Sequence, residues 1–394
     1  MITAEGIAAR LAPLDGIGIG EAGVWRMAWS DEDATLRGWF ADQARRGGLA
    51  AQRDPAGNLW ACPDSEPPWW GLGSHLDSVR GGGRFDGPLG VACAFEVTAA
   101  VDQPLAVLSF ADEEGARFNT PTFGSKALTG QVDMDMVLGR TDDAGVSVAD
   151  AMRDAGVDPR GVPDAPGWIS RLAGFVEVHI DQSTDVERAG VPVGIVSALA
   201  ARVRLEVELH GHADHSGTTP PAQRRDALAA AARLIVAAQD SAGSLTVTTS
   251  RLLVEPNAPT TIPAHVRLWI DARGLDTGEI DGWLRGLEAT AAELEGRSRV
   301  AISIGIASRS DSTPFSEPLR ARLASAGRSL LGRDVPEVVC YAGHDAGVLA
   351  PSLPAAMVLV RNHTGVSHSP EETVDLEDAA VAAQVVATAL EGER

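Results

Sequence analysis

Leu105-Ala-Val-Leu-Ser-Phe110 is an unbroken apolar run that stops abruptly at Ala111-Asp-Glu-Glu-Gly115. A half-exposed strand alternates apolar and polar residues, whereas a strand covered on both faces does not. The run therefore specifies a central strand of a parallel sheet sandwiched between helices. Trp70-Gly-Leu-Gly-Ser-His75 reads as a second strand, and Pro88 to Ala100 reads as the buried helix that follows it. Phe175-Val-Glu-Val-His179 reads as a third strand. Strand, helix, strand with polar residues at the strand ends is the α/β pattern, and ligands in such sheets bind at the carboxyl ends of strands. His75, the Glu113–Glu114 pair and His179 all stand at such ends.

The pattern changes near residue 200. Ala201-Arg-Val-Arg-Leu-Glu-Val-Glu-Leu-His210 alternates with period two, the mark of a half-exposed antiparallel strand. Helices are expected over 224–238 and 276–295, and further strands over 245–249, 266–273 and 300–306. Buried helix and strand signals return after residue 310 and end in a helix from Leu376 to Leu390. The expected architecture is thus α/β, with a domain built from 1–198 and 311–394. A smaller α+β domain of about four strands and two helices is inserted at 199–310. At 394 residues the chain exceeds the usual size of one core, in keeping with two domains.

A net charge of −21 argues against nucleic acid and anionic membrane as partners, since phosphate contact needs a basic surface. No apolar run approaches the ~18 residues that span a bilayer. The N-terminus lacks a basic start and apolar core, so the cytoplasm is the expected location. Cys62, Cys93 and Cys340 are far apart, which excludes a disulfide framework and disfavours a thiolate metal site. Lys126 is the sole lysine, so Schiff-base chemistry would rest on one residue.

Imidazoles and carboxylates are the donors that zinc-like ions take, and a two-metal site needs a carboxylate able to bridge. In that reading His75 binds one ion, Glu114 binds the other, Asp86 bridges, and His179 and His368 each close one side. Asp77 would accept the second N–H of His75, and Glu113 would remain as general base. Each residue also has a structural explanation: lone histidines often serve in cores or on surfaces, and adjacent glutamates usually form a solvated face. Spacing alone does not choose between the two.

The chain resembles the amidase/hydantoinase/carbamoylase branch of the M20 dinuclear metallohydrolases. The matching segments run in family order from about 70 to 372. They are Gly73-Ser-His-Leu-Asp-Ser78, Gly82-Gly-Arg-Phe-Asp-Gly87, Glu113-Glu-Gly-Ala-Arg-Phe118, Glu177-Val-His-Ile-Asp-Gln182, His215-Ser-Gly-Thr-Thr-Pro220, Asp271-Ala-Arg273, Gly343-His-Asp345 and Ser367-His-Ser-Pro370. The resemblance implies an aminopeptidase-like catalytic domain with a mixed, mainly parallel central sheet. It implies that the inserted domain, a four-stranded antiparallel sheet with two helices, is a lid through which a homodimer forms. It implies two divalent ions (zinc, manganese, cobalt or nickel) on His75, Asp86, Glu114, His179 and His368, with Glu113 as base. Gln182, His215, Thr260, Arg273 and His344 would hold substrate. His215 would also steady the oxyanion, from its own or the partner subunit.

The expected reaction is hydrolysis of the ureido or amide C–N bond of an N-carbamoyl-L-amino acid or similar small carboxylate. The alternatives are allantoate hydrolysis, peptidase or aminoacylase action, and an inactive binding paralogue. Three positions depart from the family pattern: Thr260 stands where asparagine is usual, Asp181 where glutamate is usual, and Pro221 where methionine is common. The first of these bears on substrate choice.

Overall fold

The structure is a computed structural model that describes residues 1–20 and 22–391. Glu21 and residues 392–394, which fall in the expected larger domain, lie outside the described residues. The chain clusters into two compact units, Met1–Ala198 with Pro314–Arg394, and Leu199–Thr313.

The larger unit is built on a nine-stranded mixed sheet. Its centre is four parallel strands in the order Ala355–Val360, Leu172–Ile180, Trp69–His75, Leu105–Phe110. Antiparallel strands extend both sides, Val193–Leu199 beside Ala355–Val360, and Leu59–Cys62 then Ala50–Arg53 beyond Leu105–Phe110. All six residues of Leu105–Phe110 are buried, as an apolar run without alternation requires. The helix Pro88–Ala100 is apolar around most of its circumference because it is buried on most of it. It packs against the sheet and against Leu376–Leu390, so Leu89, Phe95, Val176, Val358 and Val386 share one core. Gly90 permits that approach: a Cβ there would lie 2.2 Å from the Val178 carbonyl oxygen.

The smaller unit has a four-stranded antiparallel sheet in the order Thr246–Glu255, His265–Gly274, Ala201–His210, Ala301–Ser310. Helices Ala227–Asp240 and Thr277–Ser298 cover one face. Val203, Leu205 and Val207 point to that face and meet Ala230, Leu234 and Leu287. Arg202, Arg204, Glu206 and Glu208 alternate onto the other. Two elements differ from the sequence reading. The first helix begins at Ala227 because Asp226 caps it, its carboxylate accepting the Ala229 N–H. The strand expected at 245–249 continues to Glu255; a register shift between Thr249 and Arg251 breaks the alternation that would have revealed it. Among the described residues no helix is long and apolar enough to cross a membrane.

Candidate metal centre

Parallel register aligns the strand ends at one edge of the large sheet. His75 pairs with Phe110, and Leu359 pairs with His179. The loops leaving these ends bring in Asp86, Glu113, Glu114 and His368. Asp86 lies at the focus. Its Oδ1 is 3.0 Å from His179 Nε2 and 3.5 Å from His75 Nε2, and its Oδ2 is 3.3 Å from His368 Nε2. Glu114 Oε1 stands 3.6 Å from His368 Nε2, and Glu113 Oε2 stands 3.9 Å from His75 Nε2. Two donor groups result, His75–Asp86–His179 and Asp86–Glu114–His368, which share Asp86.

The loop that carries Asp86 can approach so closely because residue 87 is glycine. Gly87 has φ +84°, and a Cβ there would meet the His75 ring at 2.5 Å. His368 and Asp112 also adopt positive φ, at 55° and 52°. Left-handed non-glycine residues are uncommon, and such backbone strain gathers at functional sites.

Two buried atoms in this cluster lack a hydrogen-bond partner, His179 Nε2 and Glu114 Oε1. His179 Nε2 is near Asp86 but not aligned for a hydrogen bond with it. A buried polar atom left unpaired costs about 1–3 kcal/mol, and a cation between these donors would remove that cost. Mixed nitrogen and oxygen donors suit zinc and its first-row neighbours. The residues present fit a divalent metal.

Burial and the opposed charges of neighbouring groups set the electrostatics of the cluster. Burial would raise the Asp86 carboxyl, but the imidazoles of His179, His368 and His75 outweigh it and hold the group well below the usual range. Burial disfavours the charged form of His75, yet Asp77, Asp86 and Glu113 raise its pKa well above the usual value. His368 is lifted to about 9, chiefly by its contact with Asp86. Burial pushes Glu114 up to about 7, with Asp86 adding to the effect. Burial also pushes Glu113 well above the carboxylate range.

The Asp77 carboxylate lies beside His75 Nδ1 and also holds the loop of the glutamate pair. Its carboxylate accepts the backbone N–H groups of Glu113 and Glu114, at 3.2 and 3.1 Å. The nearer acceptor for His75 Nδ1 is the Asp77 carbonyl oxygen at 3.1 Å, with the carboxylate at 3.6 Å. Gln182 donates from Nε2 to Asp86 Oδ2 at 3.0 Å, so it abuts the centre itself. His344 is fully buried beside His179, with ring centroids 4.3 Å apart, and both its ring nitrogens lack partners. Burial holds its pKa well below the usual value.

Sequence reasoning missed Glu372 and the role of Glu177. Glu372 Oε1 accepts the N–H groups of Phe85 and Asp86, at 2.9 and 3.0 Å, and so pins the loop that carries Asp86. Glu177 accepts the Ser74 hydroxyl and the Ala346 N–H, tying the His75 and His179 strands to the turn that carries His344. Glu372→Ala is expected to strand two buried N–H groups, lowering stability by about 1–3 kcal/mol. It should also weaken metal binding about 10–100-fold, as loss of supporting shells does. Thermal unfolding and metal titration would check both.

His215, Thr260 and Arg273 belong to the smaller unit. His215 and Thr260 are exposed neighbours, since the Ser216 N–H donates to the Thr260 carbonyl and His215 pairs with Thr261. His215 Nδ1 accepts the N–H groups of Gly217 and Thr218, which leaves its ring proton on Nε2 as a donor. Arg273 donates from Nε to Asp271 Oδ1 at 2.6 Å.

The chain is similar to known proteins along its length. It is 34% identical over 400 residues to an N-carbamoyl-L-amino acid amidohydrolase of Geobacillus stearothermophilus, covering 98% of this chain and 97% of that one. It is 29% identical to an allantoate amidohydrolase of Escherichia coli, covering 93% and 92%. The fold is similar to that of a hydantoinase/carbamoylase family amidase from Burkholderia multivorans, with a TM-score of 0.87, 26% identity, and 98% and 97% covered. Residues 71–392 match the model of peptidase family M20/M25/M40. The chain belongs to that family.

Proposed function

We propose that this protein is a metal-dependent amidohydrolase that cleaves the ureido C–N bond of an N-carbamoyl-L-amino acid, with Asp86 shared between two divalent ions. The observation that carries this reading is the pair of donor groups meeting at Asp86, with His179 Nε2 and Glu114 Oε1 inside them making no hydrogen bond. His75 and His179 would hold one ion, and Glu114 and His368 the other. Bound ions supply Lewis acidity to the substrate carbonyl and lower the pKa of water.

The chain's own residues do the rest. Glu113 takes the proton of the attacking water and passes it to the leaving nitrogen. Asp77 fixes the backbone that orients it. The Leu199–Thr313 unit serves as lid and dimerisation domain in this reading. His215 donates from Nε2 toward the oxyanion, and Arg273 pairs with the substrate carboxylate, a geometry that suits guanidinium. Gln182, His344 and Thr260 line the substrate. The amino acid, carbon dioxide and ammonia leave.

The sequence relation to the amidohydrolase of G. stearothermophilus favours N-carbamoyl amino acids; that to the E. coli protein keeps allantoate as the second reading. Metal-loaded protein should release ammonia from N-carbamoyl-L-amino acids and, in the second case, from allantoate. Hydrolysis of a dipeptide with no turnover of either ureide would overturn the proposal. Arg273→Ala is expected to raise KM about tenfold or more for carboxylate substrates with a smaller change in kcat. An unchanged KM would remove Arg273 from substrate binding.

Metal uptake should also depend on pH. His368 carries its proton up to about pH 9 in the metal-free centre, and a ligand imidazole must be neutral. Affinity is therefore expected to rise from pH 6 to pH 9, by up to about tenfold per unit for each proton displaced. A pH-stat would record the proton release at neutral pH.

A further inference from the structure

The smaller unit carries a second cluster of metal-ligand type, on the sheet face opposite its helices. Cross-strand register sets Glu255, His265 and His210 in one row over three strands, because Glu255 pairs with His265 and His265 with His210. Glu208 stands two residues before His210 and so projects from the same face. The two imidazoles stack, with centroids 4.5 Å apart and planes 11° from parallel. Glu208 Oε2 lies 3.3 Å from His210 Nε2, and Glu255 Oε2 lies 4.0 Å from His265 Nδ1. One donor atom from each of Glu208, His210 and His265 falls within 4.8 Å of the others. His265 Nε2 is shielded from solvent and has no hydrogen-bond partner.

We propose that Glu208, His210 and His265 form a further binding site for a late first-row divalent ion such as zinc, nickel or copper. Two imidazole nitrogens and a carboxylate oxygen are a donor set these ions prefer over magnesium or calcium. Donors that share one such ion at ~2.0–2.2 Å lie roughly 3–3.5 Å apart. Ligation would turn the stacked rings from their present spacing toward a common point, and His210, with 56% of its side chain exposed, is the ring that would swing. Arg267 is the nearby cation, and its closer partner is Glu206, at shorter range than its 3.8 Å approach to Glu208. The Glu208 oxygen that faces His210 has its hydrogen bond within the site, to His210 Nε2 itself. An ion here would cross-link two neighbouring strands at their ends, and the inference stands whether or not the proposed hydrolysis is correct.

Equilibrium dialysis of the full chain against zinc would test it, comparing wild type with the His210→Ala/His265→Ala double variant. The Asp86 centre is common to both, so it cancels in the comparison. Wild type is expected to bind one more zinc per chain. Glu208→Gln alone should weaken that extra ion about tenfold, and hydrolysis by the Asp86 centre should be unchanged in either variant. Equal zinc bound by wild type and double variant at every concentration would overturn the proposal. So would loss of hydrolysis together with the ion, since the ion counted would then belong to the Asp86 centre.

Discussion

Replacing Glu113 by glutamine is expected to leave metal uptake intact and to lower kcat by about 10²–10⁴-fold, the usual contribution of a positioned general base. The carboxamide has the same shape but cannot take up a proton. Its placement should persist, because the backbone N–H of residue 113 is held by Asp77 rather than by its own side chain. The neighbouring change, Glu114→Gln, should act in the opposite sense. Glu114 belongs to the donor group of Asp86 and His368, so its replacement should cost metal first and activity as a consequence. Metal analysis beside steady-state kinetics on a ureide separates the two. A Glu113→Gln variant with wild-type kcat would end the assignment of Glu113 as base.

Asp86→Asn is expected to weaken binding of both proposed ions by more than about a hundredfold, exceeding the 10–100-fold usual for losing a supporting residue. Asp86 presents one oxygen to His75 and His179 and the other to His368. Asparagine keeps one acceptor and turns an NH₂ group toward the remaining imidazole or pair. It also removes the negative charge at the centre of three histidines. Metal content per chain after dialysis is the measurement. Retention of one ion at full affinity would show that the two donor groups do not depend on a common carboxylate.

Much of the large sheet was legible because burial on both faces writes itself as unbroken apolar sequence. Leu105–Phe110 and the helix from Pro88 carry that signature directly. Family order then linked His368 to His75 across nearly the whole chain, something spacing could not do. Other features were hidden for physical reasons. Glu372 works through backbone N–H groups, and such groups carry no residue-type signal. The two acceptors of Asp77 could not be told apart, since a carbonyl and a carboxylate on one residue share one letter. The strand that ends at Glu255 was lost at its register shift, and with it the row that joins Glu255 to His265. The helix expected from 224 starts three residues later, and the one expected from 276 one residue later, because the cap, not the first helical residue, bears the polar group.

Glu372 has a consequence for how the molecule is made. The carboxylate that pins the Asp86 loop lies almost three hundred residues beyond the loop it holds. During synthesis from the N-terminus, His75, Asp86, Glu114 and His179 all leave the ribosome before His368 and Glu372. The smaller unit, which interrupts the larger one, is complete in the meantime. A nascent chain therefore cannot hold its half-site in final form, and cations met early find donors without their clamp. Metal loading is expected to follow synthesis of His368 and Glu372 rather than the appearance of the first ligands.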